Sequence, residues 1–325
     1  KMKSETHYKD GEIYSVTKWY RFGQKSAEDF FEVKDGEALR TNTDWHESGE
    51  KKSEEFLKDG KLTLLKEYWD DGSMKNEINF KNGKKNGFWT EWYSYKKIKN
   101  KVQFKNGKKD GLFNAWYKNG QKELEEHWIN GELIKIQKYN ILGNIESAEY
   151  YKDSKKNGQW TTWTNSGNKK SEKHYKDGKK NGSWIEWDFE GNKKLEKHYK
   201  DGKENGTWIE WFANEIKSVE KHYKDGKKNG LWTTWDYDGS KTSEKYYKNG
   251  KENGMWVEWY FPGAKKLVAN YKNGKLDGVL TIWHPNGITK FRKHYKNGKE
   301  NGLRTEWTKN GYKLYEKNFK DGNEQ

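Results

Sequence analysis

The sequence predicts an all-β fold, an elongated single-sheet array of stacked β-hairpins. A motif of 24 residues recurs along the chain, as "YKDGKKNGSWIEWDFEGNKKLEKH" at residues 175–198 and "YKDGKENGTWIEWFANEIKSVEKH" at residues 199–222 illustrate. Nearly every copy carries two or three turn glycines, which leave no stretch long enough for a helix. The short runs between the turns are rich in aromatic and β-branched residues, which favour strands.

The chain contains thirteen repeats of this motif. The residue that opens each repeat is numbered position 1. The repeats are spaced by 24 residues almost throughout and strictly so from residue 151 onward, which is typical of a quasi-one-dimensional repeat array. Two strands per repeat add roughly 10 Å, so the array would be about 120 Å long. The repeats begin at Tyr8, Val33, Leu57, Phe80, Phe104, Trp128, Tyr151, Tyr175, Tyr199, Tyr223, Tyr247, Tyr271 and Tyr295, and a fragment follows at Phe319.

Each repeat is predicted to contain a turn, a strand, a second turn and a returning strand. The stretch "YKDGKKNG" carries Asp-Gly and Asn-Gly, which are strong turn signals because glycine tolerates positive φ. "SWIEW" follows as a strand, "DFEGN" turns the chain, and "KKLEKHY" returns it. Pairing Ile185 with Leu195 would place both on a packed face with Trp187 and Tyr199, and would leave Trp184 on a more polar face.

The repeats fall into segments of different regularity within a single repeat domain, residues 1–325. Degenerate repeats at the N-terminus are expected to cap the end of the sheet. The predicted segments are 1–79 for these capping repeats, 80–127 for regular repeats, 128–150 for an irregular repeat, 151–318 for regular repeats and 319–325 for a terminal fragment.

Composition predicts a thin structure with no deep core. Only 30% of residues are hydrophobic and 35% are charged, yet the chain has 19 Trp, 21 Tyr and 13 Phe. The net charge of +15 favours anionic partners, although lysine-rich turns would produce it without any function. The absence of cysteine excludes disulfides and thiolate chemistry. No membrane span is expected, and the compartment stays open between the cytoplasm and export with a signal removed.

The sequence predicts neither an enzyme nor a metal or cofactor site. Successive histidines at position 24 would lie about 10 Å apart, whereas zinc ligands lie about 2.1 Å from the ion. The glutamates that recur at position 12 would lie on a flat sheet without a cleft, and no nucleophile, phosphate-binding or dinucleotide motif occurs. The position-24 histidines are His7, His127, His174, His198, His222 and His294.

Three sets of residues are candidates for binding. Regular lysines in the turns, with aromatic residues nearby, are typical of a surface that holds an anionic polymer, although arginine is scarce. These lysines are Lys176, Lys179, Lys200, Lys203, Lys224 and Lys227. The tryptophans at position 10 of the regular repeats are Trp160, Trp184, Trp208, Trp232 and Trp256. The irregular repeat contributes Ile134, Ile136 and Leu142, as a specificity patch or as plain decay of the repeat.

The repeated motif resembles that of the MORN-repeat variant family. It reads Gly-x-Trp-x-x-Trp, then Gly-x-Lys, then Tyr-Lys-Asp/Asn-Gly-Lys-x-Asn-Gly. The resemblance covers nearly the whole chain and is strongest at 80–128 and from residue 151 onward. It implies an elongated β-hairpin array with a role in protein scaffolding or in association with membranes or lipid. Bacterial members include the YwqK-like antitoxin group. The family brings no catalytic residue.

The function predicted is that of a non-enzymatic interaction or scaffold protein. It would bind a protein partner through an extended aromatic and lysine-rich β-surface, and an antitoxin-like or immunity-like role is one form of this prediction. The alternatives are binding of anionic lipid, a membrane surface or a polymer, including nucleic acid or glycan, by the lysines and the tryptophans. A steep salt dependence would separate charge-driven binding from aromatic stacking.

Overall fold

The computed structural model describes residues 3–325, and these contain 31 strands and no helix. Residues 1 and 2, which open the predicted capping segment, lie outside the described residues. The chain divides into two compact bodies, an N-terminal body of residues 1–156 with 165–167 and a C-terminal body of 157–164 with 168–325. Within each body, successive strands pair antiparallel in an open sheet. The predicted all-β array of stacked β-hairpin repeats is confirmed.

The strands follow the repeats closely, with one hairpin per repeat. In the N-terminal body they are β1 (Lys3–Lys9), β2 (Glu12–Trp19), β3 (Lys25–Lys34), β4 (Glu37–Trp45), β5 (Lys51–Lys58), β6 (Lys61–Tyr68), β7 (Met74–Lys81), β8 (Lys84–Trp92), β9 (Ile98–Lys105), β10 (Lys108–Trp116), β11 (Lys122–Ile129), β12 (Glu132–Tyr139), β13 (Ile145–Lys152) and β14 (Lys155–Lys156).

In the C-terminal body the strands are β15 (Gly158–Trp163), β16 (Lys169–Lys176), β17 (Lys179–Trp187), β18 (Lys193–Lys200), β19 (Lys203–Trp211), β20 (Lys217–Lys224), β21 (Lys227–Lys228), β22 (Gly230–Trp235), β23 (Lys241–Lys248), β24 (Lys251–Trp259), β25 (Lys265–Lys272), β26 (Lys275–Leu276), β27 (Gly278–Trp283), β28 (Thr289–Lys296), β29 (Lys299–Trp307), β30 (Lys313–Lys320) and β31 (Asn323–Glu324).

The register between β17 and β18 differs from the predicted one by one residue. Ile185 lies opposite Glu196, and Leu195 lies opposite Glu186. The predicted pairing of Ile185 with Leu195 is therefore wrong. Its physical reason is a β-bulge beside Trp187, because the bulge absorbs one residue of β18 and moves every later pair by one position.

This register gives the sheet two chemically different faces. Directly opposite residues share a face, so Tyr199 joins Trp184 rather than Ile185. The face that carries the position-10 tryptophans and the tyrosines that open the repeats is called the aromatic face here. The opposite face carries Ile185 and the position-22 carboxylates, such as Glu196.

A second bulge explains why position 8 is glycine and position 24 is often histidine. Lys173 pairs with Trp184 and Tyr175 pairs with Lys180, so three residues around Gly182 lie opposite His174 alone. Gly182 has φ of 100°, and a Cβ there would lie 3.2 Å from the His174 Cβ. The His174 Nδ1 lies 3.0 Å from the carbonyl oxygen of Ser183 in the bulge. His222 and His294 contact the equivalent carbonyl oxygens, at 2.8 Å and 2.7 Å, so these three histidines have a structural role.

The most buried row of residues in the sheet is at position 11, in the middle of the first strand of each repeat. Its most buried members are threonines and a valine, small β-branched residues that fit between neighbouring strands. Seven of its members are only 4–8% exposed: Thr43, Thr90, Thr161, Thr233, Val257, Thr281 and Thr305. Across residues 3–325, only seven apolar residues are buried, so rings and lysine stems on the two faces supply most of the apolar packing.

Candidate binding surfaces

The six predicted lysines lie on one edge of the C-terminal body, at the first turn of three successive repeats. In the first of these turns Asp177 has φ of 50° and Gly178 has φ of 82°, so the two-residue turn has the type I′ conformation that a tight hairpin requires. The turn places Lys176 directly opposite Lys179. The next two repeats pair Lys200 with Lys203 and Lys224 with Lys227 in the same way.

These six residues, called the lysine edge, are exposed. Each turn holds two lysines and one aspartate, so it keeps a net positive charge. Opposed residues in an antiparallel pair have Cβ atoms about 5 Å apart, and like charges at that position destabilise the sheet. Within the described part of the chain, none of the six forms an ion pair within 4 Å. The lysine edge is therefore a row of repulsive pairs with ammonium groups that are free to meet anions.

Hydrogen bonds between successive turns fix the spacing of the lysine edge. The Gly202 N–H donates to the Lys180 carbonyl of the preceding repeat at 2.8 Å, and the Asp201 N–H donates to the Asn181 side chain at 3.3 Å. The Gly226 N–H makes the same bond to Glu204 at 2.8 Å. Each lysine pair consequently follows the last by one hairpin, or roughly 10 Å.

The predicted tryptophans form a ladder with the tyrosines of the aromatic face. The ring centroids of Tyr175 and Trp184 are 5.5 Å apart, and those of Trp184 and Tyr199 are 5.2 Å apart. The other four predicted tryptophans contact the tyrosine that follows, with centroid distances of 5.4 Å for Trp160 and Tyr175, 5.7 Å for Trp208 and Tyr223, 4.9 Å for Trp232 and Tyr247 and 5.1 Å for Trp256 and Tyr271.

Lysine side chains of the same sheet cover these rings. The Lys180 Nζ lies 4.0 Å from the centroid of Trp184, and the Lys197 Nζ lies 3.7 Å from that of Trp208. Such contacts are favourable cation–π interactions. An external base or sugar would have to displace a lysine before it could stack on either ring, so the aromatic face is occupied mainly by contacts within the sheet.

The ladder alternates across the four repeats that begin at Tyr175, Tyr199, Tyr223 and Tyr247, where position 6 is in turn lysine, glutamate, lysine and glutamate. Where Lys180 occupies position 6, the Trp184 indole N–H donates to the His174 carbonyl at 3.2 Å. Where Glu204 occupies position 6, the buried indole N–H of Trp208 has no partner among the described residues. Lys228 and Glu252 continue the alternation, with Lys228 4.3 Å from the Trp232 ring.

Burial and charge on the aromatic face raise the pKa of its tyrosines. Burial, followed by the charges of Glu204 and Glu210, raises the pKa of Tyr223 to about 12. On the opposite face, burial alone would raise the pKa of Glu196, but hydrogen bonds and charge from Lys193 and His198 outweigh it and lower that pKa. The face of Glu196 is thus an ion-paired surface.

The irregular repeat does not gather its three candidate residues into one patch. Ile134 and Ile136 are two residues apart on β12, so they share a face, and both are half-buried. Leu142 lies in the turn after β12 and is 72% exposed. Its neighbour Ile141 is 58% exposed, so the apolar surface of this repeat is in the turn.

Sequence reasoning missed the second turns as a candidate surface. Phe189 is 88% exposed, Tyr237 is 67% exposed and Phe261 is 69% exposed. All three occupy position 15, in the second turn of their repeats, and this shared position is the signal that could have identified them. Phe212 stacks on Tyr237 of the next turn, with ring centroids 4.0 Å apart.

Two other kinds of site have no candidate among the described residues. Among residues 3–325, no group of three His, Asp or Glu side chains is placed to hold a metal ion. The same residues contain no helix that could span a membrane.

The sequence profile described as MORN repeat variant matches residues 63–82, 156–177 and 276–297. Each match includes the lysine-flanked Asp-Gly or Asn-Gly turn or the strand that leads to it. No curated protein matches the chain.

Solved structures that resemble the chain are much larger proteins. They include the Tc holotoxin pore of Photorhabdus luminescens with a mutant TccC3, at 11% identity and a TM-score of 0.19, where the match covers 96% of this chain and 18% of the other. A TcdB2–TccC3–TEV structure matches at 11% identity and a TM-score of 0.19, over 97% of this chain and 22% of the other. The chain spans about a fifth of the length of these relatives. At such scores neither fold nor function transfers.

Proposed function

Because the chain is a MORN-repeat protein, from a family of generally non-enzymatic binding and scaffold modules, we propose that it binds an acidic protein partner through the lysine edge. One observation carries the proposal: Lys176 and Lys179, and the two pairs that follow, face each other, and among the described residues none of them forms an ion pair with the single aspartate of its turn or with any other carboxylate. A partner that supplies carboxylates would relieve this repulsion as it binds.

Because the lysine pairs are repeated, contacts that are weak one by one can together hold a partner. A single exposed lysine–carboxylate pair contributes about 0.2–1 kcal/mol, which alone would not hold a partner. One partner would contact all three lysine pairs of the sheet. Once it has bound the first pair, the other two pairs meet it at a high effective concentration. The expected partner presents acidic groups at intervals of roughly 10 Å, which is the spacing of the hairpins.

The aromatic face supports this choice of surface. Its tryptophans already contact tyrosines and lysines of the sheet, as Trp184 does with Lys180 at 4.0 Å. The lysine edge makes no such contacts, so it is the more available of the two. An antitoxin-like or immunity-like role would be one form of this function, in which the acidic partner is a toxin.

The test compares three versions of the chain as baits for proteins in a lysate of the source cell, after nuclease treatment. The edge variant carries Lys176→Glu, Lys200→Glu and Lys224→Glu. The control variant carries Lys170→Glu, Lys194→Glu and Lys265→Glu, which are exposed lysines on strands with no ion pair among the described residues. Both variants change the net charge by the same amount.

We expect one protein to be retained by the wild type and by the control variant and to be lost from the edge variant. Elution should require salt above about 0.3 M, where the Debye length is only about 5–6 Å. Equal retention by all three baits, or retention of no protein by the wild type, would refute binding at the lysine edge.

A second candidate function is binding of a linear anionic polymer or an anionic lipid surface. A different set of turns favours it. Three further repeats pair lysines across Asn-Gly rather than Asp-Gly, so these turns contain no acid. The pairs are Lys248 with Lys251, Lys272 with Lys275 and Lys296 with Lys299. Binding of nuclease-sensitive or lipid material that is lost at low salt, with no protein retained, would favour this candidate.

A further inference from the structure

The two long edges of the C-terminal body have different chemistry. The first turns of the repeats form the lysine edge. The second turns, at the opposite ends of the same strands, carry Phe189 and Tyr237, whose rings are 88% and 67% exposed. The second turns at 188–192, 212–216 and 236–240 are called the tip row here. Phe212 of the middle turn stacks on Tyr237, so neighbouring turns of the row are in contact.

The tip row is acidic as well as aromatic. Its three turns contain five carboxylates and no basic residue, and within the described residues none of the five forms an ion pair within 4 Å. Several of them cap their own turn, as Asp188 does by accepting hydrogen bonds from the N–H groups of Glu190, Gly191 and Asn192 at 2.9–3.0 Å. The carboxylates are Asp188, Glu190, Glu215, Asp236 and Asp238.

From these two edges we infer that the tip row binds the lysine edge of a second copy of this chain. Ammonium groups of one copy would lie over the exposed rings of Phe189 and Tyr237 and beside the flanking carboxylates of the other. This combination suits neither an anionic membrane nor an acidic protein, because the carboxylates of the tip row would repel both.

The spacing of the two edges supports a second copy over an unrelated basic protein. The lysine pairs at 176/179, 200/203 and 224/227 belong to the same three repeats as the tip row. Both edges therefore advance by the same hairpin-to-hairpin step, so a match at one repeat aligns the other two. Three matched contacts then act together, although each contact alone is weak.

The resulting assembly is open-ended. The two surfaces in the contact are different, so each added copy leaves one lysine edge and one tip row free. Copies would add side by side in the plane of their sheets. An acidic partner bound to a free lysine edge would compete with the next copy and stop growth on that side.

The test is sedimentation velocity of the full chain across a range of concentrations at about 0.05 M and about 0.5 M salt, where the Debye length falls from about 14 Å to about 4 Å. Two variants separate the surfaces. The tip variant carries Phe189→Ser, Glu190→Lys and Tyr237→Ser, and the edge variant carries Lys176→Glu, Lys200→Glu and Lys224→Glu. Circular dichroism confirms that both variants fold.

We expect the wild type to associate with increasing concentration at the lower salt and to dissociate at the higher. Each variant alone should bind itself at least about tenfold more weakly, since two or more contacts per interface are lost. An equimolar mixture of the two variants should form a 1:1 dimer and nothing larger, because each variant retains the surface that the other lacks.

Three results would overturn the inference. These are a wild type that stays monomeric at every concentration and salt, variants that associate as strongly as the wild type, and a mixture that sediments as two monomers. None of these would affect binding of an acidic partner at the lysine edge, which the capture experiment tests separately.

Discussion

The ammonium group of Lys180 lies 4.0 Å from the ring centroid of Trp184 and 4.7 Å from that of Tyr199. A single lysine thus joins two rings of the aromatic ladder. In the next repeat, Glu204 occupies the equivalent position, and Lys197 of the neighbouring strand covers Trp208 instead. In these two repeats the ladder therefore depends on lysines in two different positions.

Replacing Lys180 by methionine keeps an apolar stem over both rings but removes the charge. We expect Lys180→Met to lower the free energy of unfolding by about 0.5–2 kcal/mol, the range for cation–π contacts that are partly desolvated. The matched control is Lys176→Met, which removes one member of a repulsive pair at the exposed edge and should not destabilise the protein. Urea unfolding measures both, and equal midpoints for the two variants would show that Lys180 does not stabilise the ladder.

Replacing Glu204 by lysine tests whether the alternation matters. The substitution makes this repeat identical to its neighbour at position 6. Lys197 and Lys221 already lie 3.7 Å and 4.9 Å from the Trp208 ring, so a third ammonium group would add repulsion and remove a compensating carboxylate. The charge of Glu204 helps to counter the burial that lowers the pKa of Lys197.

We therefore expect Glu204→Lys to destabilise the protein by about 1 kcal/mol, the scale of like-charge contacts on a sheet. Glu204→Gln is the control and should cost less, because it removes the carboxylate without adding a cation. A Glu204→Lys protein at least as stable as the wild type in urea unfolding would mean that the two kinds of repeat are interchangeable.

The bulge glycines should tolerate substitution less well than the turn glycines. Gly206 has φ of 106°, and a Cβ there would lie 3.2 Å from the Cβ of His198. Gly191 has φ of 96°, but a Cβ there would meet nothing within 4 Å. We expect Gly206→Ala to cost about 2 kcal/mol and Gly191→Ala about 1 kcal/mol, because only the first adds a close contact to backbone strain. Denaturant midpoints that rank the two in the opposite order would contradict this role of the bulge.

Tyr223 should make stability fall in alkaline solution. Its pKa in the folded sheet is raised to about 12, first by burial and then by nearby carboxylates. In the unfolded chain the phenol ionises near pH 10, so between about pH 10 and 12 the unfolded state loses this proton first and is favoured as pH rises. Its contribution to stability is fully present below pH 10.

We expect Tyr223→Phe to change stability little at pH 7 and to reduce the loss of stability between pH 10 and 12. Unfolding in urea at pH 8, 10 and 11 measures the slope, and the absorbance of phenolate follows the titration directly. If both proteins lose stability equally over this range, Tyr223 does not ionise later in the folded state.

The sequence predicted the repeat, both turns and the all-β class, because glycine turn signals are local and recur at a fixed interval. It failed at the register, where Ile185 was expected opposite Leu195 and lies opposite Glu196. A bulge of a single residue decides that choice, and the hydrophobic pattern of one repeat does not reveal it.

The sequence predicted the lysine edge but not the contacts of the aromatic face or the exposed second turns, for a similar reason. Lys176 and Lys179 flank a tight turn, so local sequence already places them opposite each other. The contact between Lys180 and Trp184 depends on the register, and the exposure of Phe189 depends on how successive turns stack. Neither follows from the residues of one repeat alone.

If the lysine edge serves binding at a cost to the fold, the free energy of unfolding of the edge variant should reveal that cost. Lys176→Glu, Lys200→Glu and Lys224→Glu each place a carboxylate opposite a remaining lysine. We expect this triple variant to be more stable than the wild type by about 0.5–1 kcal/mol for each site, because repulsive pairs become attractive ones. A triple variant that is less stable than the wild type, when compared in urea with the Lys170→Glu, Lys194→Glu and Lys265→Glu control, would show that the lysine pairs support the sheet and would contradict such a cost.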